Sequence, residues 1–446
     1  MTPTLDVVHA LYRDFLERGI RHFFPEHRLE LIGEGEPQPM LQFHHQTDGS
    51  LEMDWCGGRY FFAAPARALS EHELRLLGAI GDVLAARYRS IVFGGSAASA
   101  LHLFRGLPED RFVSAFLDHR PYLDQAAIPA DSDAIAGAIE VLRESSLLTY
   151  ENRRISTGVL LLGPAPDPAH PRPDPPPEAL PYNSDLIGVK SFHRLCDGIK
   201  TVFLVNRAGQ LLDLIDIHDW SRGTGRCALA APTAALYHCH SVATYDGGHF
   251  CLVLSPNGEI KIFADGVQAF NFLGGRWRLT DMAQKYRAFD KSVGYPVVAE
   301  RVFRSALNMS ESRRGGLFVI LDDPRASAAL VSPGDMLTHG PELPPEPPYS
   351  KDNVHYLLCG KTVLDLEPSV LESVARMDGA TVMDRAGNLL AVGAILRNET
   401  HELPQAVAEG GRTTAAMSAS RFGNVLKISE DGSVTYYRDG AAAWEI

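Results

Sequence analysis

Cysteine is scarce in this 446-residue sequence, with six scattered at irregular spacing. That number cannot staple a chain of this length, and it points to a reducing compartment, so a cytoplasmic location is expected. Long apolar runs are missing too. No stretch reaches the roughly 18–20 apolar residues of a membrane-spanning helix. The opening MTPTLDVVHALYRDFLERG sets charges among its apolar residues, as an amphipathic helix does and a secretory signal does not. No membrane partner is therefore expected. Positive charge is the minority sign: 42 Lys and Arg against 55 Asp and Glu leave a net charge of −13. That balance argues against broad nucleic-acid binding while leaving room for a local basic pocket. The 45% hydrophobic and 22% charged content is ordinary for a globular chain, and the length suits two or three domains.

Proline marks two interruptions. PAPDPAHPRPDPPPEALP, residues 164–181, is too rich in proline for helix or sheet and reads as a solvated spacer. HGPELPPEPPYSKDN, residues 339–353, reads the same way. Between and beyond them the chain repeats itself. NRAGQLL at 206–212 returns as DRAGNLL at 384–390, and LVLSPNGEIKIFADG at 252–266 returns as LKISEDGSVTYYRDG at 426–440. Asp197-Gly198 precedes the first RAG and Asp378-Gly379 the second. RRISTGVLLLG from Arg153 resembles RRGGLFVIL from Arg313. Four matches in one order imply two tandem copies of a domain, at 130–275 and 293–446, behind an N-terminal α+β module at 1–125.

The second copy is the more regular. Pro296 opens a helix with Val298, Val302, Ala306 and Met309 at helical spacing, and RGGLFVIL follows as a buried strand. Pro368 opens another helix. ATVM and LLAVGAIL are strands joined by a turn at Asp384–Gly387. EGGRTTAAMSAS reads as a glycine loop opening a short helix, and a hairpin closes around Glu430-Asp431-Gly432. Strands interleaved with helices predict an α/β fold, a mixed sheet flanked by helices.

Two features of this copy carry chemistry. The first N–H groups of a helix have no intrahelical acceptor, and glycines ahead of them admit a phosphate. Gly410, Gly411, Arg412, Thr413 and Thr414 supply such a start, with one guanidinium and two hydroxyls. Asp378 stands at the mouth of a neighbouring strand, where a carboxylate could hold a divalent metal or orient a ribose hydroxyl. Each is a common turn by itself; their pairing in one α/β domain points to a nucleotide site.

These residues resemble the diadenylate cyclase (DAC) domain family. Its first signature is Asp-Gly-Ala leading into strand, G-x-L turn and strand, matched by Asp378, Gly379 and Ala380. Its second is Gly-Thr-Arg-His-Arg-Ala-Ala with a serine four residues on. Here it reads Gly410-Gly411-Arg412-Thr413-Thr414-Ala415-Ala416, followed by Ser420. The resemblance covers roughly 293–446. It implies condensation of two ATP into cyclic di-AMP with release of pyrophosphate. Asp378 would organise Mn²⁺ or Mg²⁺ and the 3′-hydroxyl. Arg412, Thr413, Thr414 and Ser420 would hold the triphosphate, and Leu396 would border the adenine. Two sites would have to face each other, so a homodimer at least is implied. Thr413 and Thr414 depart from the family's His and Arg, removing a cation worth about 1.5–3 kcal/mol in a charged hydrogen bond. The alternative is an inactive sensor of nucleotide or cyclic dinucleotide, or an assembly protein.

Carried back by the spacing of the final hairpin, Arg412-Thr413-Thr414 falls on His238-Cys239-His240 and Ser420 on Asp246. The Asp-Gly match sets Asp378-Gly379-Ala380 against Asp197-Gly198-Ile199. The first copy is therefore expected to be non-catalytic, a regulatory or structural partner. His238, His240 and His249 fit no zinc spacing, and Asp213, Asp216 and Asp219 read as a solvated edge. In the N-terminal module Ser70 and Glu73 form a capping pattern for a helix over 70–88, after a strand–turn–strand region at 28–63. VFGGSAAS at 92–99 lacks the Lys-Ser/Thr ending of a phosphate loop.

Overall fold

A computed structural model describes residues 5–36, 40–45, 50–63, 69–92, 101–118, 122, 133–164, 180–189, 192–223, 228–337, 355–397 and 410–446. The proline-rich stretches at 164–181 and 339–353 lie almost wholly outside the described residues, as does the 92–99 loop. The chain is a mixed α/β protein and divides into two compact units, Met1–Leu229 with Cys239–Asp281, and Ala230–His238 with Met282–Ile446.

The first unit opens with helix α1 (Leu5–Phe23) and an antiparallel sheet of β1 (Arg28–Glu34), β2 (Gln42–His45), β3 (Leu51–Trp55) and β4 (Gly58–Ala63), in the order β1-β4-β3-β2. Helix α2 (Glu71–Val92) starts on a reciprocal cap: the Glu73 N–H donates to Ser70 Oγ at 3.1 Å and the Ser70 N–H to the Glu73 carboxylate at 2.8 Å. Helices α3 (Pro108–Leu117) and α4 (Ala134–Ser146) follow. A short hairpin, β5 (Thr149–Tyr150) and β6 (Arg153–Arg154), leads into a seven-stranded sheet. Its strands are β7 (Thr157–Leu161), β8 (Thr201–Val205), β9 (Leu211–Asp216), β10 (Phe250–Leu254), β11 (Ile260–Ala264), β12 (Val267–Leu273) and β13 (Arg276–Leu279), with helix α5 (His238–Ala243) before β10. One hydrophobic core runs from Tyr12 and Trp55 to Phe270 and Trp277. Trp277 on β13 is fully buried and donates its indole N–H to Asp110 of α3 at 2.8 Å, where Arg143 of α4 also donates at 2.8 Å.

The second unit begins with α6 (Met282–Val293) and α7 (Pro296–Glu311). Its sheet holds β14 (Gly316–Leu321), β15 (Ala380–Asp384), β16 (Leu389–Ala394), β17 (Gly423–Ile428), β18 (Val434–Arg438) and β19 (Ala441–Glu445). Helix α8 (Pro368–Ala375) precedes β15, and α9 (Gly411–Ala419) precedes β17. Every residue of β14 is buried, because the central strand is covered on both faces and so reads as a continuous apolar run. On one face Leu317, Val319, Leu321 and Val425 pack with Ala416 and Ala419 of α9. On the other, Phe289 of α6, Phe303 of α7, Tyr436 and Trp444 make edge and tilted ring contacts 5.1–5.9 Å apart.

The two larger sheets share one topology. The orders are β9-β8-β7-β10-β11-β12 (with β13 added) and β16-β15-β14-β17-β18-β19. In each, one pair near the centre is parallel, β7–β8 or β14–β15, and the remaining pairs are antiparallel. The repeated turns match in conformation as well: Gly258 and Gly432 have φ of 82° and 93°, Asp265 and Asp439 50° and 53°.

Candidate active site

Strand register fixes which residues share the upper edge of the six-stranded sheet. Phe318 of β14 stands beside Thr381 of β15 and Leu426 of β17. Counting back two residues sets Gly379, Gly316 and Ile428 in one row across the sheet. Asp378 therefore rises from β15 two strand spacings, roughly 10 Å, from the end of β17. The start of α9 reaches the same edge. Arg412 lies against Gly315 so closely that a side chain there would collide with the guanidinium, and its Nη1 is 3.9 Å from the Glu430 carboxylate. The structure thus brings Asp378, Gly379 and Ala380 to the same sheet edge as Gly410, Gly411 and Arg412.

Gly379 is required there. Its φ is +111°, and a Cβ would lie 2.5 Å from the backbone of Gly393 in β16. Ala380 is fully buried as the first residue of β15. Asp378 is exposed, and its carboxylate makes no hydrogen bond or ion pair among the described residues. At the other side the Gly411 and Arg412 N–H groups have no acceptor among the described residues, whereas Thr413 and Thr414 bond back to the Gly410 carbonyl at 2.8 and 3.4 Å. A cleft of about 400 Å³ opens here, lined by Gly410, Gly411, Arg412, Thr413, Lys427 and the Ile428–Glu430 turn.

Lys427, which the sequence motifs do not single out, belongs to this cleft as well. It lies on β17 and donates to Thr413 Oγ1 at 3.0 Å, with its amine 5.9 Å from the centre of the Tyr437 ring. A lysine at an inward position of the apolar LKI strand was the available signal. Thr413 is buried and Thr414 half-buried.

Two expected residues stand elsewhere. Ser420 lies at the far end of α9, roughly 13 Å of helix from Gly411. It is fully buried, donating to the Met417 carbonyl at 2.9 Å and accepting the Gly440 N–H at 3.0 Å. Its hydroxyl ties the helix end to the β18 turn and does not line the cleft. Leu396 is buried in the core that contains Ala380 and Ala394.

The first copy differs at each of these places, and register corrects the correspondence. Val159 stands beside Phe203 and Leu252, as Phe318 does beside Thr381 and Leu426. Asp378 therefore corresponds to Lys200, and Gly379 to Thr201. Asp197-Gly198 sits three residues earlier, because the loop ahead of β8 is longer by that much. The Asp197 carboxylate turns inward onto its own chain, accepting the N–H groups of Ile199, Lys200 and Thr201 at 2.7–3.0 Å. Burial raises its pKa, and these donors together outweigh burial and hold it below the usual carboxylate range. The arginine match shifts by one residue, Arg154 to Arg313; both guanidiniums lie against the hairpin glycine, Gly258 or Gly432.

His240, the counterpart of Thr414, is fully buried and bonds through Nε2 to the Gly198 carbonyl at 2.9 Å. Burial drives its pKa down to about 4, so the ring is neutral at physiological pH. Val253 and Pro256 stand where Lys427 and Glu430 do in the second copy. Among the described residues, Asp216, His218 and Asp219 alone group three potential metal ligands. They are exposed, and Asp216 already accepts the N–H groups of the other two.

No protein-family model matches the chain, and no curated protein matches its sequence. Among solved structures, a double mutant of DacA from Staphylococcus aureus is 16% identical, covering 36% of this chain and 89% of that one, with a TM-score of 0.23. A hypothetical membrane spanning protein from Bacillus cereus is 14% identical over 37% of this chain and 77% of that one, also at 0.23. Likenesses this faint are at most of fold and do not bear on the site. No described helix is long and apolar enough to cross a membrane.

Proposed function

We propose that the 293–446 copy is a diadenylate cyclase-like nucleotidyltransferase, joining two ATP into cyclic di-AMP and releasing pyrophosphate. The observation that carries this reading is the arrival of the Asp378 turn and the Gly410–Arg412 helix start at one sheet edge, beside an open cleft. The triphosphate binds over the first turn of α9, where the Gly411 and Arg412 N–H groups and the Arg412 guanidinium point their donors at phosphate oxygens. The open Asp378 carboxylate accepts a hydrogen bond from the 3′-hydroxyl and takes its proton as it attacks. In the step itself an O3′–Pα bond forms and the bond from Pα to the bridging oxygen breaks, so pyrophosphate departs. Each nucleotide must attack the other, so two chains present their clefts to one another.

Asp378 also suits a divalent ion. Mg²⁺ and Mn²⁺ are bound through one or two carboxylates plus substrate phosphates, and one unpaired exposed carboxylate meets that need. The ion would supply neutralisation of phosphate charge and Lewis acidity. The copy at 130–275 and the module at 1–125 are then regulatory or structural.

The test incubates wild type and Asp378→Asn with labelled ATP and Mn²⁺ and separates the products. Cyclic di-AMP from wild type alone is expected. ATP binding without product from either protein would move the chain to the sensor class.

A further inference from the structure

We propose that Lys427 is the polyphosphate-selecting cation of the cleft, the residue that makes the site prefer nucleoside triphosphates over monophosphates. This rests on the reading of the cleft as a nucleotide site. Lys427 occupies an inward position on β17, between Leu317 and Thr435, on the face that elsewhere buries Val319 and Val425 against α9. Lys427 is half-buried there and lines the cleft. Around its amine lie the Thr413 hydroxyl at 3.0 Å, the Tyr437 ring and the charge of Asp431, and it forms no close ion pair with a carboxylate among the described residues.

The fold itself does not ask for a lysine here. The register-equivalent residue of the first copy is Val253, fully buried on the same strand of the same topology. The surrounding side chains differ as well: His238 replaces Arg412, and the Gly198 carbonyl beside the strand mouth is taken by His240. The lysine thus accompanies Arg412 in one copy and is absent where His238 stands in the other.

Its chemistry fits an extended anion. An ammonium carries three donors, and Thr413 takes one. The two others remain for phosphate oxygens in the cleft that Arg412 also lines. Thr413 fixes the amine in place, so the hydroxyl acts as a positioning residue for the cation. Two cations lining one cleft match several phosphates in a row better than one.

The experiment titrates ATP, AMP and inorganic tripolyphosphate into full-length wild type, Lys427→Met and Lys427→Arg by calorimetry, with melting curves to verify folding. Lys427→Met should bind ATP and tripolyphosphate about 10- to 100-fold more weakly, with AMP affinity nearly unchanged and Lys427→Arg recovering most of the loss. Equal weakening for AMP and ATP would indicate a merely structural lysine and overturn the proposal. So would unchanged tripolyphosphate binding in a folded Lys427→Met. A triphosphate-selective loss in a protein that makes no cyclic dinucleotide would sink the cyclase reading and leave this one standing. Wild type that binds neither ATP nor tripolyphosphate would sink both.

Discussion

The two larger sheets have the same strand order, the same single parallel pair and the same left-handed turns, yet they carry opposite chemistry at their upper edge. In the second, Asp378 is open and the cleft holds Arg412 and Lys427. In the first, Lys200 stands at the acid's position, Asp197 satisfies its own loop, and buried His240 closes on the Gly198 carbonyl. The scaffold is held by backbone requirements and apolar strands, which both copies keep. The candidate site differs in a few side chains, Asp378, Arg412 and Lys427 against Lys200, His238 and Val253, and these change without touching the scaffold. The RAG arginines make the point from the other side, since both serve structure: Arg207 pairs with Asp118 at 2.7 Å and Arg385 with Asp322 at 2.8 Å.

The sharpest way to break this contrast is at the acids. Asp378→Asn should lower product formation by roughly 10²- to 10⁴-fold, whereas Asp197→Asn should leave it at the wild-type rate; a steady-state assay of both variants would expose a reversed assignment. His240 gives the next largest effect. Its folded pKa, about 4, lies below the unfolded value of 6.5, so between them the unfolded chain binds the extra proton. The stability of the seven-stranded sheet is then full above about pH 6.5 and falls as the pH drops towards 4, by roughly 3 kcal/mol in all. Urea unfolding across that window should show the slope in wild type and lose most of it in His240→Asn.

Gly379→Ala and Gly198→Ala come third. Each would hold an alanine at positive φ against neighbouring backbone, Gly393 in one case and Thr157 in the other, at about 1–3 kcal/mol. Equal losses in thermal melts would show that both Asp-Gly turns need glycine although they stand at different register positions, and a neutral Gly198→Ala would show the first turn to be freer. The smallest effect is expected from Asp197→Ala, about 1–2 kcal/mol for a lost cap. Because the folded pKa is depressed, that contribution is present at neutral pH and disappears as acid protonates the carboxylate below its usual range. A difference between the two proteins that does not shrink as the pH falls through and below the usual carboxylate range would contradict the capping role.

Much of the scaffold was legible because its turns demand particular residues. Gly258, Gly432, Asp265 and Asp439 sit at positive φ, so the repeat shows as recurring Asp and Gly even where strand residues have drifted. The Asp-Gly equivalence failed for the same reason that it was attractive. Asp197-Gly198 and Asp378-Gly379 are both tight turns, but three extra residues ahead of β8 displace one from the other, and only strand register reveals that. Ser420 was misplaced because a motif fixes spacing and not direction: one helix length carries it from the cleft to the far end. Lys427 was passed over because strand alternation shows which face a residue takes only once its neighbours are known. The sharing of one core by the N-terminal helices and the seven-stranded sheet rests on Trp277, Asp110 and Arg143, pairs too distant in sequence to be read from pattern.

The pairing of β14 with β17 also has a meaning in time. Gly316 and its partner Ile428 are separated by roughly a hundred residues of chain. A ribosome adding about 5–20 residues per second needs roughly 5–20 s to deliver the second strand after the first. Throughout that interval Leu-Phe-Val-Ile-Leu waits without its antiparallel neighbour, a sticky apolar edge in a crowded cell. The nascent protein is therefore most exposed to aggregation while its C-terminal sheet is half made, and a chaperone that shields this strand would act during synthesis, before any nucleotide could bind.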